Sequence, residues 1–223
     1  MPSGMLEQPD WLVAAKRRPR FRGVLHQYAF FAALVVGALL VAGAEGGVPR
    51  ISAIVFATSV AVMLGVSALY HRVVWPPGPR RWIRRLDHAA IFLLIAGTYT
   101  PFGLVALDGA WRVTVLAIAW SGAFAAIVLK VAWIDAPRWV AAALALGLGW
   151  VGVVALPQIL DSVGAAPLTL IAIGGAFYTA GAIIYALKRP DPVPAVFGYH
   201  ELFHTLVVAA AACQYAGVAL FVL

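Results

Sequence analysis

His200 and His204 stand four residues apart, which puts both imidazoles on one helical face about 6 Å apart along its axis. A helix offers two nitrogens to one metal ion in this way. His71 could complete a three-histidine set from another helix. Three protein ligands with a fourth position left to water is the pattern of catalytic zinc, whereas structural zinc usually has four closed ligands, often cysteine. The single Cys213 lies too far along the chain to join the set. Ser67 precedes His71 by four residues and shares its face, so its hydroxyl could hydrogen-bond a metal-held water or a developing oxyanion. Asp87 supplies a carboxylate that stays ionised beside a divalent cation and is suited to orient or deprotonate such a water. Its neighbour His88 points about 100° away around a helix and is read as a capping or lipid-interface residue. His26, beside Arg22, is read as an interfacial residue that snorkels. His200–His204 also matches H-E-x-x-H, with Glu201 as general base. That expression is short and here opens an apolar run, so Asp87 is the preferred candidate.

These residues need elements that bring them to one place, and composition says what those elements are. Of 223 residues 63% are hydrophobic and 11% charged, and the mean hydropathy is +0.93. A soluble domain is about half apolar and a quarter charged, so a water-soluble globular enzyme is excluded. Disorder is excluded on the same figures, and one cysteine excludes an intramolecular disulfide framework.

Spanning a bilayer takes roughly 20 mostly apolar residues. Seven segments qualify: 25–44, 51–71, 86–107, 113–133, 139–157, 167–187 and 199–223. The expected architecture is an all-α integral membrane protein, a seven-transmembrane helix bundle over 25–223 preceded by a basic segment, 1–24. The first apolar run is too long for a signal-peptide core and lacks a good cleavage site, so it reads as an uncleaved first helix. Of the sixteen Lys and Arg residues, all but Arg50 and Arg112 fall in the N-terminal segment or at one set of helix ends. The bias of positive charge toward the cytoplasm then puts the N-terminus inside and the C-terminus outside. It also accounts for the net charge of +7 without nucleic acid. With this topology His71, Asp87, His88, His200 and His204 all lie at the cytoplasmic membrane depth, where ionisable groups are costly and point to function. The prolines of Pro76-Pro77-Gly78-Pro79 and of Pro190, Pro192 and Pro194 are expected in cytoplasmic loops. Thr100-Pro101 is expected to kink the third span, and Ala143/Gly147 and Gly175/Thr179 to be close helix contacts.

Three blocks carry a resemblance: Ser67-Ala-Leu-Tyr-His71; Leu86-Asp87-His88 running on to Gly97-Thr-Tyr-Thr-Pro101; and His200-Glu-Leu-Phe-His204. Together they resemble the signature blocks of the hemolysin III family, the bacterial branch of the progestin and adipoQ receptor (PAQR) family. The resemblance implies a seven-helix bundle in the bacterial inner membrane, with Zn2+ near the cytoplasmic face held by His71, His200 and His204. It implies that Asp87 contacts the zinc-bound water, with the Ser67 hydroxyl nearby. Adiponectin receptors are similar here but typically carry Gln at the position of Glu201, which weakens the H-E-x-x-H reading further. The family's association with alkaline ceramidases implies zinc-assisted hydrolysis of a lipid amide. A non-enzymatic zinc-stapled sensor of membrane lipid is the competing class. The family label suggests a pore, but the span interiors are almost entirely Ala, Val, Leu, Ile and Gly. A retinal protein would need a lysine in the last helix, and 199–223 has none.

Overall fold

The computed structural model describes Pro9, Leu12 and residues 18–223. Lys16 and Arg17 of the basic N-terminal segment lie outside the described residues. The helices are α1 (Val24–Gly43), α2 (Val48–Arg72), α3 (Pro77–Pro101), α4 (Gly109–Ala132), α5 (Arg138–Gly149), α6 (Leu156–Val163), α7 (Ala165–Leu187) and α8 (Tyr199–Val222). A π-helical turn, Phe102–Ala106, extends α3, and a 3₁₀ turn, Val151–Ala155, joins α5 to α6. Seven helical segments are long and apolar enough to cross a membrane, α5 and α6 together making the fifth, and there is no strand among the described residues.

Each span meets its chain neighbour, and α8 closes the bundle against α7, α1 and α2. The apolar faces turned outward carry Phe31, Val35 and Leu39 on α1 and Phe124 and Val128 on α4. Exposed Trp82, Trp133 and Trp139 lie near the arginine-rich helix ends, where indole rings suit a membrane interface. The interior is packed in sections, Leu40, Phe56, Leu107, Val115 and Val218 at one end and Met63, Leu64, Leu94 and Val207 nearer the other.

The structure corrects the sequence reading in two places. The third span begins at Pro77 rather than residue 86, because proline in a first turn has the φ a helix needs and an N–H there would be unsatisfied anyway. The arginine run 80–85 is therefore helical, and α3 rises about 15 Å beyond Asp87 at 1.5 Å per residue. The pairs Ala143/Gly147 and Gly175/Thr179 are not close helix contacts: the space beside Gly147 and Gly175 is open, and Gly175 and Thr179 line a cavity. Tight approaches lie elsewhere, among them Gly97, where a Cβ would collide with Ser59 of α2, and Gly103, where it would collide with Leu116 of α4. Pro101 falls where α3 gives way to the π-helical turn, consistent with its missing N–H disrupting the regular ladder.

Candidate metal centre

The last turn of α2 brings His71 beside the first turns of α8, which carry His200 and His204. One nitrogen from each of the three rings lies within 4.8 Å of the others. The Nε2 atoms of His71 and His200 are 3.2 Å apart, and the His204 ring centre is 4.9 Å from that of His71 and 4.5 Å from that of His200. His204 is 2% exposed and His71 is also buried. The Asp87 carboxylate, from α3, has Oδ2 4.0 Å from His71 Nε2. Ser67, one turn deeper on α2, is buried within reach of that carboxylate. All five expected site residues are thus brought to one place.

Three imidazoles could hold a metal ion here. Two nitrogens bound tetrahedrally to one zinc at 2.0–2.1 Å stand about 3.3 Å apart, close to the 3.2 Å between His71 and His200. An all-imidazole donor set suits zinc, as it does copper, iron and nickel.

His26 departs from expectation. It is 2% exposed rather than interfacial, and its ring stacks on His204 with centroids 3.8 Å apart and planes 3° from parallel. Neither of its ring nitrogens has a hydrogen-bond partner among the described residues. The turn before it explains the placement. Gly23 adopts φ 76°, and a Cβ there would lie 2.5 Å from the Cβ of His71, so only glycine lets the chain pass this closely before entering α1. Sequence spacing offers a signal only in hindsight: a histidine three residues after a glycine at a basic helix start.

Glu201 is 1% exposed. One oxygen accepts from Arg22 Nε at 2.5 Å and the other from the Gly198 N–H at 2.9 Å, capping α8. With both oxygens engaged it is placed to brace, not to act as a base, and it is not among the residues lining either cavity described below. His88 donates from Nδ1 to the Arg84 carbonyl at 2.7 Å, which leaves Nε2 to accept from the Tyr185 hydroxyl at 3.4 Å. Its ring borders the cluster without joining it.

An apolar cavity of about 280 Å³ runs from this cluster into the bundle. His26, Ser67, Asp87, His200 and His204 line one end, and Leu107, Val115, Trp150 and Gln214 line the other. From His200 to Gln214 the cavity follows α8 for about 21 Å.

The Haemolysin-III related family model matches residues 14–215. Among curated proteins, the "Hemolysin-3 homolog" of Bacillus subtilis (strain 168) is 29% identical over 165 residues, 74% of this chain and 74% of the relative. The "Hemolysin-3" of Bacillus cereus is 29% identical over 169 residues, 76% of this chain and 74% of the relative. A bundle of membrane-spanning helices with a buried histidine cluster, matched over most of its length by one family model, therefore belongs to the Haemolysin-III related family.

Proposed function

We propose that this protein is a zinc-dependent hydrolase that cleaves an amide bond in a membrane lipid, working at the cytoplasmic face of the bacterial inner membrane. One observation carries the reading: three imidazoles, a carboxylate and a hydroxyl converge at the end of an apolar cavity long enough for an acyl chain. His71, His200 and His204 are the ligands in this reading. When bound, zinc would supply a Lewis acid that polarises a carbonyl and lowers the pKa of water to about 7. Asp87 Oδ2 receives the proton of the attacking water and holds it for the leaving amine. Ser67 orients that carboxylate. The aliphatic walls exclude bulk water from the acyl chain and fix its depth.

Metal analysis by mass spectrometry on detergent-purified protein tests the first half. One zinc per chain is expected in the wild type and none in His71→Ala, His200→Ala or His204→Ala. Well-folded wild type without zinc would refute it. For the second half, Asp87→Ala should keep the metal and lose turnover of a lipid amide at least 100-fold, within the range for a general base. Full activity in that variant would overturn the assignment.

A second reading draws on the origin of the ligands. His71 closes α2 and His200 and His204 open α8, so a metal would staple two helices far apart in the chain and contribute folding energy. A sensor of this kind would lose thermal stability on chelation and turn over no lipid.

A further inference from the structure

On the arginine-rich side of the histidine cluster lies a second cavity of about 270 Å³, of opposite character to the first. Four guanidinium side chains line it, Arg22, Arg80, Arg84 and Arg138, against one carboxylate, Asp87. They come from the segment before α1, from α3 and from α5. The unexpected length of α3 builds one wall, since Arg80, Arg84 and Asp87 follow at helical spacing on one face. Arg22 is paired with Glu201 and Arg84 with Asp135. Arg80 and Arg138 have no carboxylate partner among the described residues. Arg138 instead donates to the Tyr199 hydroxyl at 2.8 Å and lies over the Tyr185 and Tyr199 rings, which fixes its planar fork at the cavity wall. Crowding of positive charge extends to the rim. Burial first, and then repulsion from Arg80, hold the Arg18 guanidinium below its ordinary pKa.

The two cavities meet. Asp87, His88, Tyr185 and His200 line both. A molecule occupying both would have an apolar tail along α8, a charged head among the arginines, and its head-to-tail junction beside the histidines. A bias of positive charge toward one membrane face explains why arginines gather at this end. It does not explain why four of them converge on one cavity sharing a wall with the metal cluster. Guanidinium forks match carboxylate and phosphate oxygens bidentately.

We propose that the lipid amide taken by this site carries a compact anionic headgroup, a carboxylate or phosphate, bound by Arg80, Arg84 and Arg138. The acyl chain fills the apolar cavity and the amide lies at the histidine cluster. The inference rests on the lipid-amide reading, but it is tested by binding and not by turnover alone.

The probes are N-lauroylglycine and N-lauroylethanolamine, which share a chain and an amide and differ in headgroup charge. N-acetylglycine and inorganic phosphate supply the anion without the chain. Binding to full-length protein in nonionic detergent is read from tryptophan fluorescence, for which Trp150 on the cavity wall is the reporter. Mass spectrometry verifies that the probe stays intact. If it is cleaved, the ratio of kcat/KM between the two probes takes the place of the Kd ratio. Wild type should favour the anionic probe by at least tenfold. Arg80→Gln and Arg138→Gln should each lose most of that preference while still binding the neutral probe, which serves as the check on folding. Equal binding of the two probes by the wild type would overturn the proposal, as would a preference unchanged in both variants. Competition by N-acetylglycine or phosphate as strong as that of N-lauroylglycine would overturn it too, by showing a site for free anions. A tenfold preference with no cleavage of either probe would uphold the headgroup assignment and count against the hydrolase reading. Cleavage of both without preference would do the reverse.

Discussion

Arg22 and Glu201 form a pair whose two halves should be unequally costly to remove. Glu201 is 1% exposed and its side chain makes two bonds, whereas 23% of the Arg22 side chain reaches solvent. In Arg22→Ala the carboxylate stays buried with only the Gly198 N–H to stabilise it. Leaving one charge of a buried pair uncompensated costs about 3–5 kcal/mol. In Glu201→Ala the arginine is released toward water, and the loss is the N-cap interaction, about 1 kcal/mol, plus a partly exposed ion pair worth about 1 kcal/mol at most. The expected penalty is therefore about 2 kcal/mol, below the range for Arg22→Ala. In the double variant the buried charge is gone, so its cost should be that of Glu201→Ala alone. That leaves a coupling energy equal in size to the Arg22→Ala penalty, about 3–5 kcal/mol, far outside the additivity of independent sites.

Thermal unfolding in detergent, followed by a thiol-reactive dye, measures this directly because Cys213 is the single cysteine and is partly buried. The expected order of midpoints is wild type, then Glu201→Ala together with the double variant, then Arg22→Ala. A midpoint for Glu201→Ala below that of Arg22→Ala would refute the reasoning. So would a Glu201→Gln variant of wild-type stability and full metal content that turned over no lipid amide, since Glu201 would then be acting chemically.

Substitutions at two further positions probe the surroundings of the histidine cluster. His26→Ala removes the ring stacked on His204 and should weaken metal binding about 10- to 100-fold, the range for supports of ligand residues. His26→Phe should restore most of it, and competition with a chelator of known affinity separates the two. Gly23→Ala places a Cβ against His71 at a φ that L residues rarely adopt, so it should cost about 1–3 kcal/mol and lower metal content in the same preparation. A variant with full metal content would show that the chain before α1 is free to move aside.

What could be read from the sequence was depth. Alternating spans carry His71, Asp87, His200 and His204 to one level whatever the packing, and ionisable groups at that level are expensive enough to notice. What could not be read was azimuth. At a helix start beside arginines, an imidazole facing lipid headgroups and one facing the core have the same neighbours in sequence, so His26 carried no mark of its stacking on His204. The partner of Glu201 was hidden for another reason. Arg22 is 179 residues away, and no spacing rule links a helix cap to a residue at the other end of the chain. The start of α3 was obscured because prolines and arginines resemble a loop, although proline is at home in a first turn. Likewise Gly175 and Thr179 have the spacing of a packing motif and yet line a cavity, because that motif does not say which face of the helix meets a neighbour.

Two of these omissions, Arg22 and His26, share a location, and that has a physical consequence. The segment 18–26 carries none of the three clustered histidines, yet it touches both helices that do. Arg18 donates to the carbonyls of His71 and Val73 at 3.4 Å. The N–H groups of Arg20 and Phe21 donate to the carbonyls of Ala195 and Val196 at 3.1 Å, in the connection leading into α8. Gly23 lies against His71, Arg22 bonds Glu201, and His26 covers His204. A three-nitrogen centre shared by two helices depends on their relative position to within a few tenths of an ångström, and packing between apolar helices inside a bilayer gives little directional force to hold it. Hydrogen bonds from a third element to both helices do give that force. The segment 18–26 therefore supports the histidine cluster, which is why both Gly23→Ala and Arg22→Ala, neither of which removes a nitrogen, should register in the metal content expected of that cluster as well as in stability.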